Sequence, residues 1–459
     1  MWFLLFSLVS AGLTYNMFHP SDRGERRVIF VFFASWLWGE LALHAILLQA
    51  LIAVGFVAAG AASSWHGLLA LAITIGSCIA LGYGYRESLL AAPAAERALR
   101  EVYGRQYEEK IHSSHAQRFE REIRWQPILR PFPIRHPDVE CVRDIQFARE
   151  QGVSLKLDVY RHRSMPDRCP TLLQIHGGAW VLGDKREQAL PLMNQLAERG
   201  WVCISANYRL SPHATFPDHI IDVKRAIAWI REHGHRYGAD PDFIVITGGS
   251  AGGHLSALAA LTPEDKRYQP GFEDVDTSVN ACVPIYGVYD FTDRHGLRSS
   301  DGQRKLLEEQ VMKGSLEEIP DLYRDASPVD RVTDAAPPFM IVHGDRDVLV
   351  PVEEARRFRA VLAEHSKVQP VYVEVPGAQH AFELFPSLRT QGVVDAVERF
   401  VAYIYSDYLE RKSAAKVDAG SSSSQRQASA SAGSSAGERA AASPVSTVRA
   451  KTALSLIHI

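Results

Sequence analysis

The chain has 459 residues, more than one average domain holds, so several structural regions are expected. Its composition is ordinary for a globular protein, with 46% hydrophobic and 22% charged residues, but the two kinds are sharply segregated along the chain. The formal net charge of −3 argues against a nucleic-acid-binding protein, which would normally be basic. The 5 cysteines are scattered without a Cys-x-x-Cys pair, which predicts buried thiols and neither a zinc site nor a disulfide framework.

Three apolar runs fill the first 84 residues: 1–18, 28–59 and 65–83. A membrane-spanning helix needs about 20 mostly apolar residues, so the second and third runs qualify and the first is marginal. Run 1–18 lacks the basic start of a signal peptide, and two more apolar runs follow it, so we interpret it as an uncleaved anchor. Residues 1–84 are therefore predicted to be a membrane region with two to three transmembrane helices.

Basic residues flank these runs. The loop 16–27 carries Arg23, Arg26 and Arg27, and further arginines follow the third run. With three spans, both basic flanks lie on one side, and the positive-inside rule makes that side cytoplasmic. This predicts a multi-pass membrane protein whose large following domain is cytoplasmic. If 28–59 forms a hairpin of two spans, the orientation of that domain is inverted.

Two polar residues, Glu40 and His44, interrupt the second run four positions apart, on one face of a helix. A carboxylate inside a membrane is a candidate functional group. We favour the plainer interpretation, which is a helix–helix contact.

The rest of the chain divides into three regions. Residues 85–138 are charged and helix-prone and then rich in proline, which predicts a helical connector and a stiff linker. From 139 to 411, strand-like and helix-like runs alternate, which is typical of an α/β domain with a mostly parallel, doubly wound sheet. The predicted strands are 155–160, 171–175, 202–206, 243–247, 281–286, 339–342 and 371–375, and the predicted helices are 187–199, 220–233, 251–261, 352–365 and 393–409. Residues 412–459 are rich in Ser, Ala and Gly and are predicted to be disordered.

A long polar insertion, 293–334, lies between two of the predicted strands. Structureless segments of this length are uncommon inside a compact domain, and many of them are functional. We therefore interpret the insertion as a lid or a specificity element.

The fourth predicted strand ends in Gly-x-Ser-x-Gly, residues 248–252, directly before a predicted helix. A sharp strand-to-helix turn of this kind presents a serine as a nucleophile. A serine hydroxyl is a weak nucleophile at neutral pH, so Ser250 needs a base to take its proton and donors to stabilise the resulting oxyanion. The motif therefore predicts Ser250 as a nucleophile, provided that the chain also supplies a base and oxyanion donors.

An earlier strand, 171–175, runs into the sequence His-Gly-Gly-Ala-Trp, residues 176–180. Paired glycines let backbone N–H groups approach an anionic oxygen without a clash from a Cβ atom. The loop is a candidate for one half of an oxyanion hole, and the N–H of Ala251, directly after the serine, is a candidate for the other half. The histidines of the motif turns, His176 and His343, are interpreted as structural.

Two loops after late strands offer an acid and a base. Residues 339–351 contain two aspartates, of which we favour Asp347, at the start of an Asp-x-x-Val-Pro element, while Asp345 is assigned to bracing the turn. Asp290, after an earlier strand, is a remote third candidate for the acid. His380 follows the last strand, and the order serine, aspartate, histidine along the chain is that of a known class of catalytic triad.

Together these motifs resemble those of the α/β-hydrolase esterases and lipases, nearest the hormone-sensitive-lipase-like and bacterial carboxylesterase branches. The resemblance covers about residues 140–409 and is carried by His176-Gly-Gly-Ala-Trp180, Asn207-Tyr-Arg-Leu-Ser-Pro212, Gly248-Gly-Ser-Ala-Gly-Gly253 and the loops of Asp347 and His380. It implies an α/β-hydrolase fold, with Ser250 as nucleophile, His380 as base and Asp347 as the residue that orients the base. The oxyanion donors that it implies are Gly177, Gly178 and Ala251. The sequence departs from the hormone-sensitive-lipase pattern at Ala179, usually a third glycine, and at Gly249, usually an acidic residue.

The resemblance implies a serine carboxylic-ester hydrolase that works through an acyl-enzyme and needs no metal or organic cofactor. The expected substrate is a small-molecule or lipid ester, and no nucleic-acid partner is expected. The His-Gly-Gly-x-Trp loop also resembles those of arylformamidases and prenylcysteine methylesterases, so an amide hydrolase or a methylesterase is the alternative. A catalytically silent, membrane-anchored interaction module is a hypothesis of a different class.

Overall fold

A computed structural model of the protein describes residues 1–20, 25–119, 122–132, 134–165, 167–298 and 301–434. The basic-loop residue Arg23 and residues 435–459 of the predicted tail lie outside these ranges. Within them the helices are α1 (Trp2–Phe18), α2 (Glu25–Glu40), α3 (Ala42–Ala58), α4 (Trp65–Ser88), α5 (Ala91–Tyr103), α6 (Ser113–Ala116), α7 (Trp125–Leu129), α8 (Leu190–Glu198), α9 (Asp218–His233), α10 (Ala251–Leu261), α11 (Asp301–Leu306), α12 (Pro320–Asp325), α13 (Val352–His365) and α14 (Leu388–Ser434). The chain forms two compact units, Met1–Ser406 and Asp407–Ile459, and the described part of the second unit is helical.

Eight strands form one sheet in the order β1-β2-β4-β3-β5-β6-β7-β8. They are β1 (Val139–Glu150), β2 (Val153–His162), β3 (Cys169–Ile175), β4 (Val202–Ala206), β5 (Ala239–Gly249), β6 (Ala281–Ile285), β7 (Met340–Gly344) and β8 (Val371–Val375). β2 pairs antiparallel with β1 and β4, and the strands from β3 onward pair in parallel. Because the carboxyl ends of parallel strands meet at one edge of a sheet, the loops after β3, β5, β7 and β8 lie along the same edge.

Helices cover both faces of the sheet. Ile244 of β5 lies in a large apolar cluster with Ile227 of α9 and Leu258 of α10. Successive side chains of a strand point to opposite faces, so the neighbouring residue Phe243 points away from that cluster. Its ring centroid lies 4.8 Å from that of Tyr405 in α14. The doubly wound sheet predicted from the alternation of runs is thus present.

All the predicted strands are present, but β1 was not predicted. This strand carries charged residues at many positions and lies at the edge of the sheet, half exposed. Its register with β2 shifts between Val142 and Ile145, at an irregularity that contains Asp144. An edge strand pairs on one side only and needs little apolar surface, so it lacks the pattern by which the inner strands were found.

The insertion at 293–334 is part of the body of the fold. It contains α11 and α12, and it buries Leu307, Val311 and Tyr323 in the same cluster as the sheet. Its assignment as a lid or specificity element stays a prediction. The last helix, α14, runs to Ser434 and so includes part of the region where the sequence predicts disorder.

The apolar N-terminal helices pack on one another. Hydrogen bonds between hydroxyl groups join α1 to α4, from Ser7 to Thr74 at 2.9 Å and from Thr14 to Ser77 at 2.8 Å. Among the described residues, one helical stretch, Trp65–Tyr103, is by itself long and apolar enough to cross a membrane. α1 has only 17 residues and is short for a span.

The second apolar run is not one straight span. α2 and α3 meet at Leu41 with a bend of 87°, so the run 28–59 is a broken span or a re-entrant loop. The break lies beside Glu40, whose buried carboxylate is 3.2 Å from the buried guanidinium of Arg389 at the start of α14. The Ser387 hydroxyl donates to the same carboxylate at 2.5 Å. Glu40 therefore makes the predicted helix–helix contact, but with the α/β region, while His44 lies beyond the bend.

The buried residue His254 of α10 connects this helix to the insertion 293–334. His254 Nε2 lies 2.7 Å from the Ala326 carbonyl oxygen, and the Trp180 indole N–H donates to Nδ1 at 3.2 Å. The ring must therefore be neutral, with Nε2 protonated and Nδ1 as an acceptor. Burial is the main cause that lowers the pKa of His254, to about 3.

We expect this histidine to make the fold less stable in mild acid. Its pKa in the folded chain is below the value of about 6.5 of an unfolded chain, so the unfolded state binds the proton first. As pH falls below about 6.5, His254 lowers the free energy of unfolding by up to roughly 1.4 kcal/mol per pH unit. Urea unfolding at several pH values checks this: His254→Gln should flatten the slope, and the exposed-site control His235→Gln should leave it unchanged. Equal slopes in all three proteins would contradict it.

Candidate active site

Ser250 lies in the turn between β5 and α10, with φ 57° and ψ −122°. Its backbone N–H donates to the Ile285 carbonyl at 3.0 Å, which ties the turn to β6. A Cβ atom on Gly252 would lie 2.0 Å from the Ile175 carbonyl oxygen, and one on Gly248 would lie 2.5 Å from it. Only glycine fits at both positions, because α10 begins directly against the end of β3. This close approach is what makes the strand-to-helix turn so sharp, with Ser250 at its apex.

A buried acid–base pair lies on the same edge of the sheet. Asp347 Oδ2, in the loop after β7, is 2.6 Å from Nδ1 of His380, in the loop after β8. The other carboxylate oxygen, Oδ1, accepts the backbone N–H groups of Leu349 and Val350, both at 2.8 Å. These two bonds fix the orientation of the carboxylate, so that Oδ2 faces the imidazole.

The electrostatic surroundings keep Asp347 ionised. Burial by itself would raise the pKa of this carboxyl. The His380 and His343 rings, which lie 2.6 and 3.3 Å from Oδ2, outweigh burial and hold the pKa of Asp347 below its ordinary value. The site therefore contains a carboxylate that stays charged across the range in which a histidine titrates.

Tyr286 connects the serine turn to the histidine. Its buried ring lies 4.4 Å, between centroids, from the His380 ring. A Cβ atom on Gly249 would lie 2.6 Å from the Tyr286 hydroxyl, so the space for a side chain beside Ser250 is taken by the tyrosine. A side chain at position 249, such as the acidic residue of the hormone-sensitive-lipase pattern, would require Tyr286 to shift. No hydrogen bond joins the Ser250 hydroxyl to His380 among the described residues, and in free enzymes such bonds often tighten only with substrate.

The other two candidate acids lie apart from His380. Asp345 Oδ1 accepts the Gly377 N–H at 2.7 Å, which braces the turn between the two loops, and burial raises the pKa of Asp345. Asp290 accepts from Thr292 and pairs with Arg294 at 2.9 Å. Of the three aspartates, Asp347 is the one bonded to the histidine.

The glycine loop after β3 lies against the serine. A Cβ atom on Gly177 would be 3.1 Å from Ser250 Cβ, and Gly178 has φ +109°, which favours glycine. The N–H of Gly177 donates to the Gln188 side chain at 2.6 Å, so it is engaged in this structure. Within the described residues no hydrogen bond is made by the N–H of Gly178 or of Ala251, which begins α10 and so lacks an intrahelical acceptor.

The two histidines interpreted as structural bind backbone atoms. His176 Nδ1 is 2.7 Å from the Gly177 carbonyl oxygen, and its ring stacks on Tyr208 at 4.4 Å. His343 Nε2 is 2.9 Å from the Val350 carbonyl oxygen. Among the described residues, no group of three or more His, Cys, Asp or Glu side chains is arranged to hold a metal ion.

Sequence reasoning missed the contribution of α2 to this region. Phe32 and Trp36 of α2 form a buried apolar cluster with Ala381 and Phe385, directly after His380. Gln379, which precedes the histidine, also contacts α2. Glu40 predicted a helix–helix contact but not its partner, and a single polar residue such as Ser35 inside an apolar run is too common to be informative.

The known proteins to which this chain is similar are named as esterases or carboxylic ester hydrolases. Residues 157–362 match the family model BD-FAE. The chain is similar to the probable carboxylic ester hydrolase LipM of Mycobacterium tuberculosis, with 52% identity over 269 residues, 57% of this chain and 61% of that protein. It is also similar to the esterase LipQ of the same organism, with 47% identity over 251 residues, 54% of this chain and 59% of that protein. The chain thus spans about three fifths of the length of the curated relatives it matches.

A solved structure has a similar fold. The chain is similar to the propionate-bound form of Est2, a thermophilic esterase from the Planctomycetes species Thermogutta terrifontis, with 26% sequence identity and a TM-score of 0.50. The match covers 61% of this chain and 97% of that chain.

Proposed function

We propose that the chain, whose residues 157–362 match the BD-FAE family model, is a carboxylic ester hydrolase with Ser250, His380 and Asp347 as its catalytic residues. The observation that carries the proposal is the buried Asp347–His380 pair, joined at 2.6 Å on the sheet edge that also bears the serine turn. The names of the relatives, carboxylic ester hydrolase and esterase, support an ester as the bond that is cleaved.

In the first half of the reaction the acyl group moves to the enzyme. His380 Nε2 takes the Ser250 proton while the serine oxygen bonds to the ester carbonyl carbon. The carbonyl oxygen becomes an oxyanion, which the N–H groups of Gly178 and Ala251 stabilise. The bond to the alcohol then breaks, and the imidazolium of His380 gives its proton to the departing alkoxide. Gly177 can join the donors only after its N–H leaves Gln188.

The second half releases the acyl group. His380 takes a proton from water, and the resulting hydroxide attacks the acyl carbon. The bond to Ser250 breaks, the serine oxygen regains a proton from His380, and a carboxylic acid leaves. Asp347 stays ionised throughout and stabilises the imidazolium, as its lowered pKa favours.

One experiment separates the three functional hypotheses. The full chain in detergent is treated with a fluorophosphonate probe and assayed on a matched pair, p-nitrophenyl butyrate and the corresponding p-nitroanilide. We expect labelling at Ser250 and turnover of the ester far above that of the anilide, because an amide is the harder bond to cleave. Comparable turnover of the anilide would indicate an amide hydrolase, and the absence of labelling would indicate a silent interaction module.

We also propose that the apolar N-terminal helices hold the enzyme at a membrane. The helical stretch Trp65–Tyr103 supports this by its length and composition. The basic residues flanking the apolar runs favour a cytoplasmic α/β domain. We propose that the membrane region ends near residue 84, the connector near residue 138 and the α/β domain near residue 411. Protease digestion of intact and of opened cells tests the side: protection of the α/β domain in intact cells is expected.

A further inference from the structure

The helix α2 lies directly on the loop that carries His380. The indole N–H of Trp36 donates to the Ala381 carbonyl oxygen at 2.8 Å. The Phe32 ring meets the His380 ring edge-on, with 6.1 Å between centroids. Both aromatic residues are buried. The position after the histidine is therefore held by a helix from the opposite end of the chain.

A second connection passes through Gln379, which is buried beside the histidine. Its Oε1 accepts the backbone N–H of Val348, next to Asp347, at 2.8 Å, and that of His380 itself at 2.9 Å. Because both partners are donors, this end of the amide must be the oxygen. The amino group at the other end donates to the Ser35 hydroxyl of α2 at 3.0 Å.

The far end of α2 is anchored to the same region. The buried Glu40 carboxylate pairs with Arg389, and Arg389 Nε donates to the Pro376 carbonyl oxygen at 2.9 Å, four residues before His380. α2 thus contacts the histidine loop before, beside and after the imidazole. Buried hydrogen bonds join α2 to the residue before His380 and to the residue after it. Simple packing of a helix on the domain does not require such bonds.

We infer that α2 is a positioning element of the active site, which holds the His380 loop in register with the Asp347 loop through Ser35 and Trp36. The inference rests on the proposed function, in which His380 is the base. It means that hydrolysis needs a helix of the apolar N-terminal region as well as the α/β domain. A misplacement of about 1 Å in reacting groups can lower a rate by roughly 100-fold, so loss of these contacts should reduce turnover.

The test is the double variant Ser35→Ala/Trp36→Phe in the full chain. It removes both hydrogen bonds to the histidine loop and keeps an aromatic ring against Phe385 and Phe32. We expect kcat on p-nitrophenyl butyrate to fall about 10- to 100-fold with KM nearly unchanged, and fluorophosphonate labelling to slow in parallel. A purely structural role would instead reduce the amount of folded enzyme and leave kcat per labelled site unchanged.

Further single variants make the result specific. Ser7→Ala removes a buried hydroxyl contact between α1 and α4, far along the chain from the histidine loop, and should leave kcat unchanged. Ser35→Thr keeps the hydroxyl and should retain most of the wild-type kcat, whereas Ser35→Ala alone should lose part of it. The inference is overturned if the double variant, or Trp36→Phe alone should the double variant not fold, keeps wild-type kcat. Failure of the wild-type chain itself to label or turn over ester would instead count against the proposed function.

Discussion

Ser250→Ala should abolish ester hydrolysis, with a fall in kcat of about 10⁶-fold, as is found when the nucleophile of a serine triad is removed. In the proposed mechanism this hydroxyl forms the acyl-enzyme, and no other described side chain lies at the turn to replace it. Alanine keeps the Cβ atom and can follow the same backbone, so the fold should persist. The measurements are turnover of p-nitrophenyl butyrate, fluorophosphonate labelling and the unfolding midpoint.

The matched control is Ser256→Ala, on the helix α10 that follows the turn. The Ser256 hydroxyl is buried and makes no hydrogen bond among the described residues, so its loss removes no interaction. This variant should keep both activity and labelling. Undiminished turnover in Ser250→Ala would contradict the serine mechanism and the proposed function.

Asp347→Asn should lower kcat by about 10⁴-fold while leaving the fold intact. Two backbone N–H groups, of Leu349 and Val350, donate to Oδ1, so the asparagine oxygen must occupy that position. The amide NH₂ then faces His380 Nδ1 and forces the imidazole into the tautomer that has its proton on Nε2. A histidine protonated on Nε2 cannot accept the proton of Ser250, so the base is blocked.

The variant Asp345→Asn tests which of the two aspartates, Asp345 or Asp347, is the acid that orients His380. Asparagine can still accept the Gly377 N–H through its oxygen, so the turn keeps its brace and kcat should change little. If Asp345→Asn were the damaging substitution and Asp347→Asn the mild one, the assignment of the acid would have to be exchanged.

Much of this architecture was predictable because its signals are local. The inner strands are continuous apolar runs, such as 202–206, and β4 and β8 were predicted with their observed bounds. The α/β-hydrolase fold implied by the motifs is confirmed by the sheet and by the similarity to solved esterases. The motif residues Ser250, Asp347 and His380 could be chosen because each follows a strand, and parallel strands deliver their ends to one edge.

The contacts that were missed are those between distant parts of the chain. The bonds from α2 to Gln379 and Ala381 leave no periodic pattern, because nothing in an apolar run tells which of its faces meets a loop 340 residues later. The engagement of Gly177 by Gln188 is of the same kind, since a backbone N–H has no sequence signature. The bend at Leu41 was hidden because apolar residues continue on both sides of it.

The separation of 344 residues between Ser35 and Gln379 has a consequence for biosynthesis. α2 leaves the ribosome early, and at about 5–20 residues per second its partners are made roughly 20–70 seconds later. Contacts between such distant parts of the chain form late in folding. The histidine loop is thus completed only when the last strand meets a helix made at the start. If Ser250, His380 and α2 act as proposed, a nascent chain whose α2 has not yet met the histidine loop would carry the serine turn with reduced hydrolytic activity.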